Sequence, residues 1–308
     1  MDYIFLILGL VFLFIGGECL VKSSVWLALK FNISKLVVGV TVVSFATSAP
    51  ELLVSLESAL SSHPEISFGN VIGSNIANIG LVLGLTCIVS PISVSGESLT
   101  NNYPMMLFAS LSLVLAMFFT NGLGWVVGSL FIIFLLFFLF FSIKKSSIDS
   151  QERVELDPNL NTTKSTFLIV IGGLGLYFGA EFFIKSAVNI AKSFEINDRI
   201  ISLSLVAIGT SIPELATSLI AAFKKQNSIA FGNLIGSNIF NVFAVLGITS
   251  VFADLNLDQV NIFYPDLIWM MAFAFILFPL QKFGIKNKLG FKEGIVLLSM
   301  YLAYLFLL

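Results

Sequence analysis

Ten apolar segments of 18 to 26 residues follow one another along the 308-residue chain. A helix needs about 20 consecutive apolar residues to cross a bilayer, so this pattern predicts ten transmembrane helices. The single long polar stretch, 144–164, leaves five segments on each side of it. The segments cover residues 3–27, 35–60, 66–90, 103–120, 124–143, 165–190, 200–223, 228–253, 262–280 and 290–307.

Two sequence motifs recur along the chain at one spacing. The sequence TSAPE at 47–51 returns as TSIPE at 210–214, which is 163 residues later. The sequence FGNVIGSNIAN at 68–78 returns as FGNLIGSNIFN at 231–241, with the same spacing and nine of eleven positions identical. Two chance motifs would not share one offset, so the chain is a duplicated unit.

The number of helices in each unit decides how the two copies are related. Five spanning helices begin and end on opposite sides of a membrane, so the second copy enters from the other face. We therefore predict an all-α membrane protein with ten transmembrane helices, arranged as two inverted five-helix repeats related by a pseudo-two-fold axis. The predicted parts are a first repeat at 1–143, a cytoplasmic linker at 144–164 and a second repeat at 165–308.

Composition agrees with a polytopic membrane protein. Charged residues make up 11% of the chain, against roughly 25% in soluble proteins. Cys19 and Cys87 lie in apolar segments, where a free cysteine behaves as a small hydrophobic residue, so we predict neither a disulfide nor a cysteine metal site. No basic region precedes the first apolar segment, as a cleaved signal peptide requires, so we interpret it as a retained helix.

Basic residues in the loops predict the orientation, because cytoplasmic loops carry an excess of lysine and arginine. With the N-terminus outside, twelve basic loop residues face the cytoplasm and only Lys192 and Arg199 face outward. We therefore predict a multi-pass protein of the cell membrane with both termini on the extracellular or periplasmic side. The twelve are Lys30, Lys35, Lys144, Lys145, Arg153, Lys164, Lys224, Lys225, Lys282, Lys286, Lys288 and Lys292.

The first motif places oxygen ligands inside the membrane. A proline in a helix removes a backbone hydrogen bond and disrupts the helix, so we expect broken helices at Pro50 and Pro213 with free carbonyl groups. Such backbone is tolerated at membrane depth only where it faces protein or a cavity. Hard oxygen ligands suit Na⁺ and Ca²⁺. The two motifs supply hydroxyls from Thr47, Ser48, Thr210 and Ser211 and carboxylates from Glu51 and Glu214.

The second motif supplies small and neutral polar residues. Its glycines and serines permit close helix packing. Ser74, Asn75 and Asn78 fall within about one helical turn and share a face, and Ser237, Asn238 and Asn241 repeat this arrangement. We expect these faces to point at the two glutamates, which the inverted repeats should bring together near the membrane midplane.

Two unpaired carboxylates would be costly inside a membrane. One Ca²⁺ or two Na⁺ would neutralise both, and no lysine or arginine lies near either glutamate in its segment. Enclosing the empty site in the membrane then costs more free energy than enclosing the site with ions bound. The carrier therefore changes sides only when loaded with one ion or the other, as an antiporter does.

Together the motifs resemble the paired alpha-repeats of the cation/Ca²⁺ exchanger superfamily, and all ten segments are similar to a prokaryotic Na⁺/Ca²⁺ exchanger. The resemblance implies alternating access, with Ca²⁺ bound by two carboxylates and two carbonyls and with Na⁺ bound by hydroxyls and carbonyls. The implied Ca²⁺ ligands are Glu51, Glu214 and the carbonyls of Thr47 and Thr210. The implied Na⁺ ligands are Ser48, Ser74, Ser211, Ser237 and the carbonyls of Ser44 and Ala207.

The sequence departs from the family pattern at two places. Many Na⁺-coupled relatives carry aspartate at one of the positions held here by Asn78 and Asn241, so a possible third carboxylate is missing. The first repeat also has SFA at 44–46, where the second has the more usual AIG at 207–209.

The sequence thus predicts a secondary-active antiporter that exchanges Na⁺ for Ca²⁺, both bound by Glu51 and Glu214. The alternative is an H⁺/Ca²⁺ antiporter that uses the same glutamates. The neighbouring hydroxyls favour Na⁺, because a proton needs no such ligands. Paired inverted halves with buried carboxylates suit alternating access better than the continuous pore of a channel. No nucleophile–base pair or phosphate loop indicates an enzyme. We expect Na⁺ and Ca²⁺ as transported ions, the lipid bilayer as surroundings, and no cofactor, nucleic acid or obligatory protein partner.

Overall fold

The structure, a computed structural model, describes residues 1–94, 101–120, 122–146, 156–194, 209–257, 260–283 and 288–307. Helices dominate this part of the chain. Their bounds are α1 Asp2–Phe31, α2 Lys35–Thr47, α3 Ala49–Leu60, α4 Pro64–Val89, α5 Tyr103–Thr120, α6 Trp125–Lys145, α7 Thr162–Ser193, α8 Ile212–Phe223, α9 Asn227–Phe252, α10 Tyr264–Phe283 and α11 Phe291–Leu307.

Helix occupies most of the described part of every predicted apolar segment. Within those ranges, seven helical stretches are long and apolar enough to cross a membrane, and eight if the bent pair α2–α3 counts as one span. Helix α8 has 12 residues and α11 has 17, and residues 200–208 of the segment that contains α8 lie outside the described residues. The chain is therefore a helical membrane protein whose described ranges hold seven or eight membrane-length helices, and the count of ten stays a prediction.

The broken helices place proline differently from our expectation. Helices α2 and α3 meet at an angle of 43°, and the break falls at Ser48, whose φ and ψ are −86° and 4°. Pro50 is the second residue of α3, and Pro213 is the second residue of α8. In the first turn of a helix the missing proline N–H leaves no hydrogen bond unmade. The predicted break in the helix at Pro50 is therefore confirmed, but it falls two residues before the proline, and both prolines lie in the first turn of the helix that follows.

Three stretches of wider π-helix interrupt α2, α4 and α9. They cover Gly39–Val43, Asn78–Leu83 and Asn241–Leu246. Such insertions are rare and occur frequently at functional sites. The second and third begin 163 residues apart, at the two asparagines of the repeated motif.

Helices α1 and α7 cross at backbone contact through glycines. A Cβ on Gly16 would lie 2.7 Å from the carbonyl oxygen of Gly172, and one on Gly9 would lie 2.9 Å from that of Gly179. Gly172 lies 163 residues after Gly9, and Gly179 lies 163 residues after Gly16. The contact between Gly16 and Gly172 is therefore the repeat-related counterpart of the contact between Gly9 and Gly179, as a two-fold axis requires.

Two short antiparallel strand pairs join the halves of the chain. Strand β1, Ile92–Ser93, pairs with β4, Lys288–Leu289, and β2, Gly122–Leu123, pairs with β3, Leu255–Asn256. Strands β1 and β3 begin 163 residues apart, and each binds a strand of the other half. Gly122 has a φ of +150° and lies against the β3 backbone, a position that only glycine adopts without strain.

The helices that carry the second motif form the centre of the molecule. In the most apolar stretch of α9, 89% of residues are buried, and in that of α4, 78%. The figure is 22% for α6 and α7. Helices α4 and α9 are therefore enclosed by the others, and large apolar side chains on α6 and α7 face outward, where lipid would lie.

Ion pairs tie α1 to its neighbours. Glu18 accepts a hydrogen bond from Lys224 just beyond α8, and Lys22 Nζ lies 2.9 Å from Asp157 Oδ2 in the segment before α7. The hydrogen bond from Lys22 is the main cause of a lowered pKa of Asp157. The charged end of α1 is thus fixed both to the core and to the link between the two halves.

Candidate functional site

Glu51 and Glu214 occupy equivalent places at the centre of the molecule. Each is the third residue of its helix, α3 or α8, and each is 0% exposed. The N-terminus of a helix carries a partial positive charge that favours a carboxylate nearby. The first turn of each helix therefore provides a favourable place for a buried negative charge.

Hydroxyl groups of both repeats converge on Glu214. Ser48 Oγ, from the first repeat, donates to Glu214 Oε1 at 3.4 Å, and Ser237 Oγ, from the second, donates to the same oxygen at 3.4 Å. Thr47 Oγ1 lies 3.4 Å from Ser237 Oγ. We call Glu51, Glu214, Thr47, Ser48 and Ser237 the carboxylate pocket.

Three carboxylate oxygens of this pocket have no partner in the described part of the chain. They are Glu51 Oε1, Glu51 Oε2 and Glu214 Oε2, and the two side chains are close enough to repel each other electrostatically. The ion pairs described elsewhere involve Glu18, Glu181, Glu65 and Asp157. A buried charge is costly unless it is paired, so a bound cation with oxygen coordination fits these unpartnered atoms.

The other predicted ligands come from both repeats. Thr210 Oγ1 and Ser74 Oγ share a hydrogen bond of 3.0 Å, and Ser211 Oγ is buried without a partner among the described residues. Ser44 Oγ is directed at the carbonyl oxygens of Gly39 and Asn233, both at 2.9 Å. Ala207 lies outside the described residues.

The asparagines of the second motif bind one another across the two repeats. Asn241 Nδ2 donates to Asn75 Oδ1 at 3.1 Å, and Asn78 Nδ2 donates to Asn238 Oδ1 at 3.4 Å. We call these four residues the asparagine cluster. Asn78 Oδ1 and Asn241 Oδ1 are buried without a partner in the described ranges, so two further neutral oxygens are available at the centre.

Sequence reasoning missed two asparagines of the same motif. Asn70 Nδ2 donates to the carbonyl oxygen of Glu51 at 3.1 Å and to Ser55 Oγ at 3.0 Å. Asn233 Nδ2 donates to Ser218 Oγ at 3.3 Å. Both asparagines keep the 163-residue spacing, so the repeat itself was the signal that could have identified them.

The fold and this pocket define a class of protein: a multi-helix membrane protein with paired buried carboxylates suited to cations. The sequence profile of the sodium/calcium exchanger protein family matches residues 1–144 and 164–308. The chain belongs to this family, and it is a multi-pass membrane antiporter rather than an enzyme.

Relatives agree over the full length. An uncharacterised membrane protein of Methanocaldococcus jannaschii is 35% identical over 97% of this chain and 95% of its own length. The sodium/calcium exchanger MaX1 of Methanosarcina acetivorans is 30% identical over 100% of this chain and 98% of its own length. A solved structure of the sodium-calcium exchanger NCX_Mj, soaked with Na⁺ and Sr²⁺, is similar with a TM-score of 0.84 and 34% identity. It covers 100% of this chain and 98% of its own.

Proposed function

We propose that this protein exchanges Na⁺ for Ca²⁺ by alternating access, with both ions bound in turn by Glu51 and Glu214. The observation that carries the proposal is the set of unpartnered oxygens on two fully buried carboxylates. One Ca²⁺ or two Na⁺ would balance their charge. No cofactor takes part, because the ions themselves drive the exchange.

The hydroxyls around the pocket support Na⁺ as the coupling ion. Ser48 and Ser237 already contact Glu214, and Ser74 contacts Thr210 in the other repeat. Na⁺ needs several oxygen ligands, whereas a proton needs only the carboxylate. Further ligands in this proposal are Ser211, the carbonyls of Thr47, Thr210, Ser44 and Ala207, and the amides of Asn78 and Asn241.

Alternating access would follow from the duplication. In the proposed architecture ten transmembrane helices form inverted repeats at 1–143 and 165–308, joined by a linker at 144–164. The reciprocal glycine contacts of α1 with α7, and the two strand pairs, support a two-fold relation between the halves. Repeats that can exchange conformations give one site two routes, one to each side of the membrane.

We further propose that both termini face outward and the linker faces the cytoplasm. Membrane-impermeant maleimide applied to intact cells should leave an Asn159→Cys variant, with Cys19 and Cys87 replaced, unlabelled. Labelling of this site in sealed cells would reverse the proposed orientation.

The glutamates are tested by neutral variants of the same shape. Glu51→Gln and Glu214→Gln should each lower Ca²⁺ flux in proteoliposomes by at least about 100-fold, because losing a buried charge partner costs about 3 kcal/mol or more. Glu57→Gln is the matched control, since Glu57 lies on α3 with an exposed side chain. It should retain normal flux, and all three variants should elute as folded protein. Near-normal flux in either pocket variant would contradict the assignment of that glutamate.

A further inference from the structure

Asn233 makes contacts with both repeats. Its side chain is 0% exposed. Its amide nitrogen donates to Ser218 Oγ on α8, one turn beyond Glu214. Its amide oxygen accepts from Thr47 Oγ1 at 3.1 Å, and its backbone carbonyl accepts from Ser44 Oγ at 2.9 Å. One residue of α9 thus holds the end of α2 and the glutamate-bearing helix α8 together.

Its counterpart in the first repeat behaves differently. The hydrogen bonds of the Asn70 side chain run to Glu51 and Ser55, both on α3 of its own repeat. The hydroxyl of Thr210, which corresponds to Thr47, is bonded to Ser74. Among the described contacts, the Asn233 side chain therefore bonds to the other repeat, whereas the Asn70 side chain bonds within its own repeat.

The sequence asymmetry noted at 44–46 falls at the same place. Ser44 carries a hydroxyl where the equivalent residue of the second repeat, Ala207, has none. That hydroxyl reaches the Asn233 carbonyl. A Cβ on Gly236 would lie 2.2 Å from Ser44 Oγ, so glycine at 236 leaves the room that this contact needs.

We propose that Asn233 and Ser44 are positioning residues of the exchanger, an inference that rests on the proposed function. They fix the last turn of α2 against α9. The hydroxyls of Thr47 and Ser48 then stay directed at Ser237 and Glu214 before an ion arrives. Because the end of α2 is held in place, the ion does not have to order it, and binding is tighter for that reason.

The expected effect is on apparent affinity rather than on maximal rate. A single hydrogen bond of this kind corresponds to about a 3- to 10-fold change in an equilibrium constant. Thr47→Val and Asn233→Ala should each raise KM for Na⁺ and for Ca²⁺ by at least that factor, and in Asn233→Ala kcat should change less than about 2-fold. Thr47→Ser keeps the hydroxyl and should restore most of the affinity.

A double-mutant comparison separates this role from simple helix packing. In Thr47→Val with Asn233→Ala, the rise in KM should be clearly smaller than the product of the two single effects, because both variants remove the bond between Thr47 and Asn233. In Thr47→Val with Asn70→Ala, the matched control, the effects should multiply. Multiplying effects in the first pair would overturn the proposal.

Ser44→Ala gives a second test if Asn233→Ala yields no folded protein. It introduces the residue already present at the equivalent position of the second repeat, and it should raise KM about 3- to 10-fold. Ser112→Ala is its control, because the hydrogen bonds of Ser112 Oγ within the described ranges run to carbonyls of its own helix α5, and it should change nothing. An unchanged KM in Ser44→Ala would overturn the role of Ser44. Absence of Na⁺-dependent Ca²⁺ flux in the unmodified chain would instead overturn the proposed function itself.

Discussion

At the scale of single residues, the chain combines two carboxylates with an unusually neutral surrounding. Glu51 and Glu214 are the buried acids of the pocket, and the asparagine cluster beside the second motif carries no charge. The motif spacing made both glutamates and their hydroxyl neighbours predictable, because identical residues at one offset must occupy equivalent places. The role of Asn233 was not predictable, because its partners Thr47 and Ser218 lie on other helices and no local pattern indicates that packing.

The neutral asparagine cluster leads to a residue-scale prediction. In Asn241→Asp an acceptor oxygen would replace the amide that now donates to Asn75 Oδ1, so two acceptors would face each other unless a proton or cation lies between them. We expect the Na⁺ dependence or the pH dependence of Ca²⁺ flux to change, measured across neutral pH. Asn189→Asp, at an exposed position of α7, is the control. Unchanged profiles in Asn241→Asp would place this residue outside the ion path.

At the scale of elements, helix positions followed from apolar segment length, but their interruptions did not. The proline rule predicted a broken helix but not the position of the break, which falls at Ser48, with Pro50 and Pro213 each second in the helix that follows. A proline is compatible with either geometry, and only the surrounding packing selects one. The π-helical stretches of α4 and α9 were not predicted at all, because one extra residue in a helical turn leaves the apolar pattern almost unchanged.

The crossing of α1 and α7 gives an element-scale prediction. Gly16→Ala should destabilise the protein by about 1–3 kcal/mol, because its Cβ would enter the backbone of α7 and force the helices apart. Gly9→Ala should do the same, since its contact is the repeat-related one. Thermal unfolding of the purified protein measures the effect. Gly124→Ala has no atom within 4 Å of the added Cβ and should unfold near the unmodified temperature. Equal stability of Gly16→Ala and Gly124→Ala would contradict close packing at this crossing.

At the scale of the whole molecule, the duplication explains most of the architecture. Counting apolar segments predicted a membrane protein of paired halves. The contacts of α1 with α7 and the two strand pairs are each related by the repeat spacing, which agrees with a two-fold relation between the halves. Departures from that symmetry could not be read from spacing alone. Ser44 and Asn233 link the repeats on one side, and Glu18 pairs with Lys224, whereas Glu181 pairs with Lys185 on its own helix.

The most direct test of Na⁺/Ca²⁺ exchange is Ca²⁺ uptake into proteoliposomes loaded with Na⁺, with any pH gradient collapsed by an ionophore. The unmodified chain should take up Ca²⁺ only when Na⁺ is inside. Internal Na⁺ that is carried out and released leaves the site open to the outside, where Ca²⁺ can bind. Vesicles loaded with an impermeant organic cation should take up none. Uptake that ignores internal Na⁺ and follows an imposed pH gradient would contradict the account, and would make Glu51 and Glu214 carriers of protons.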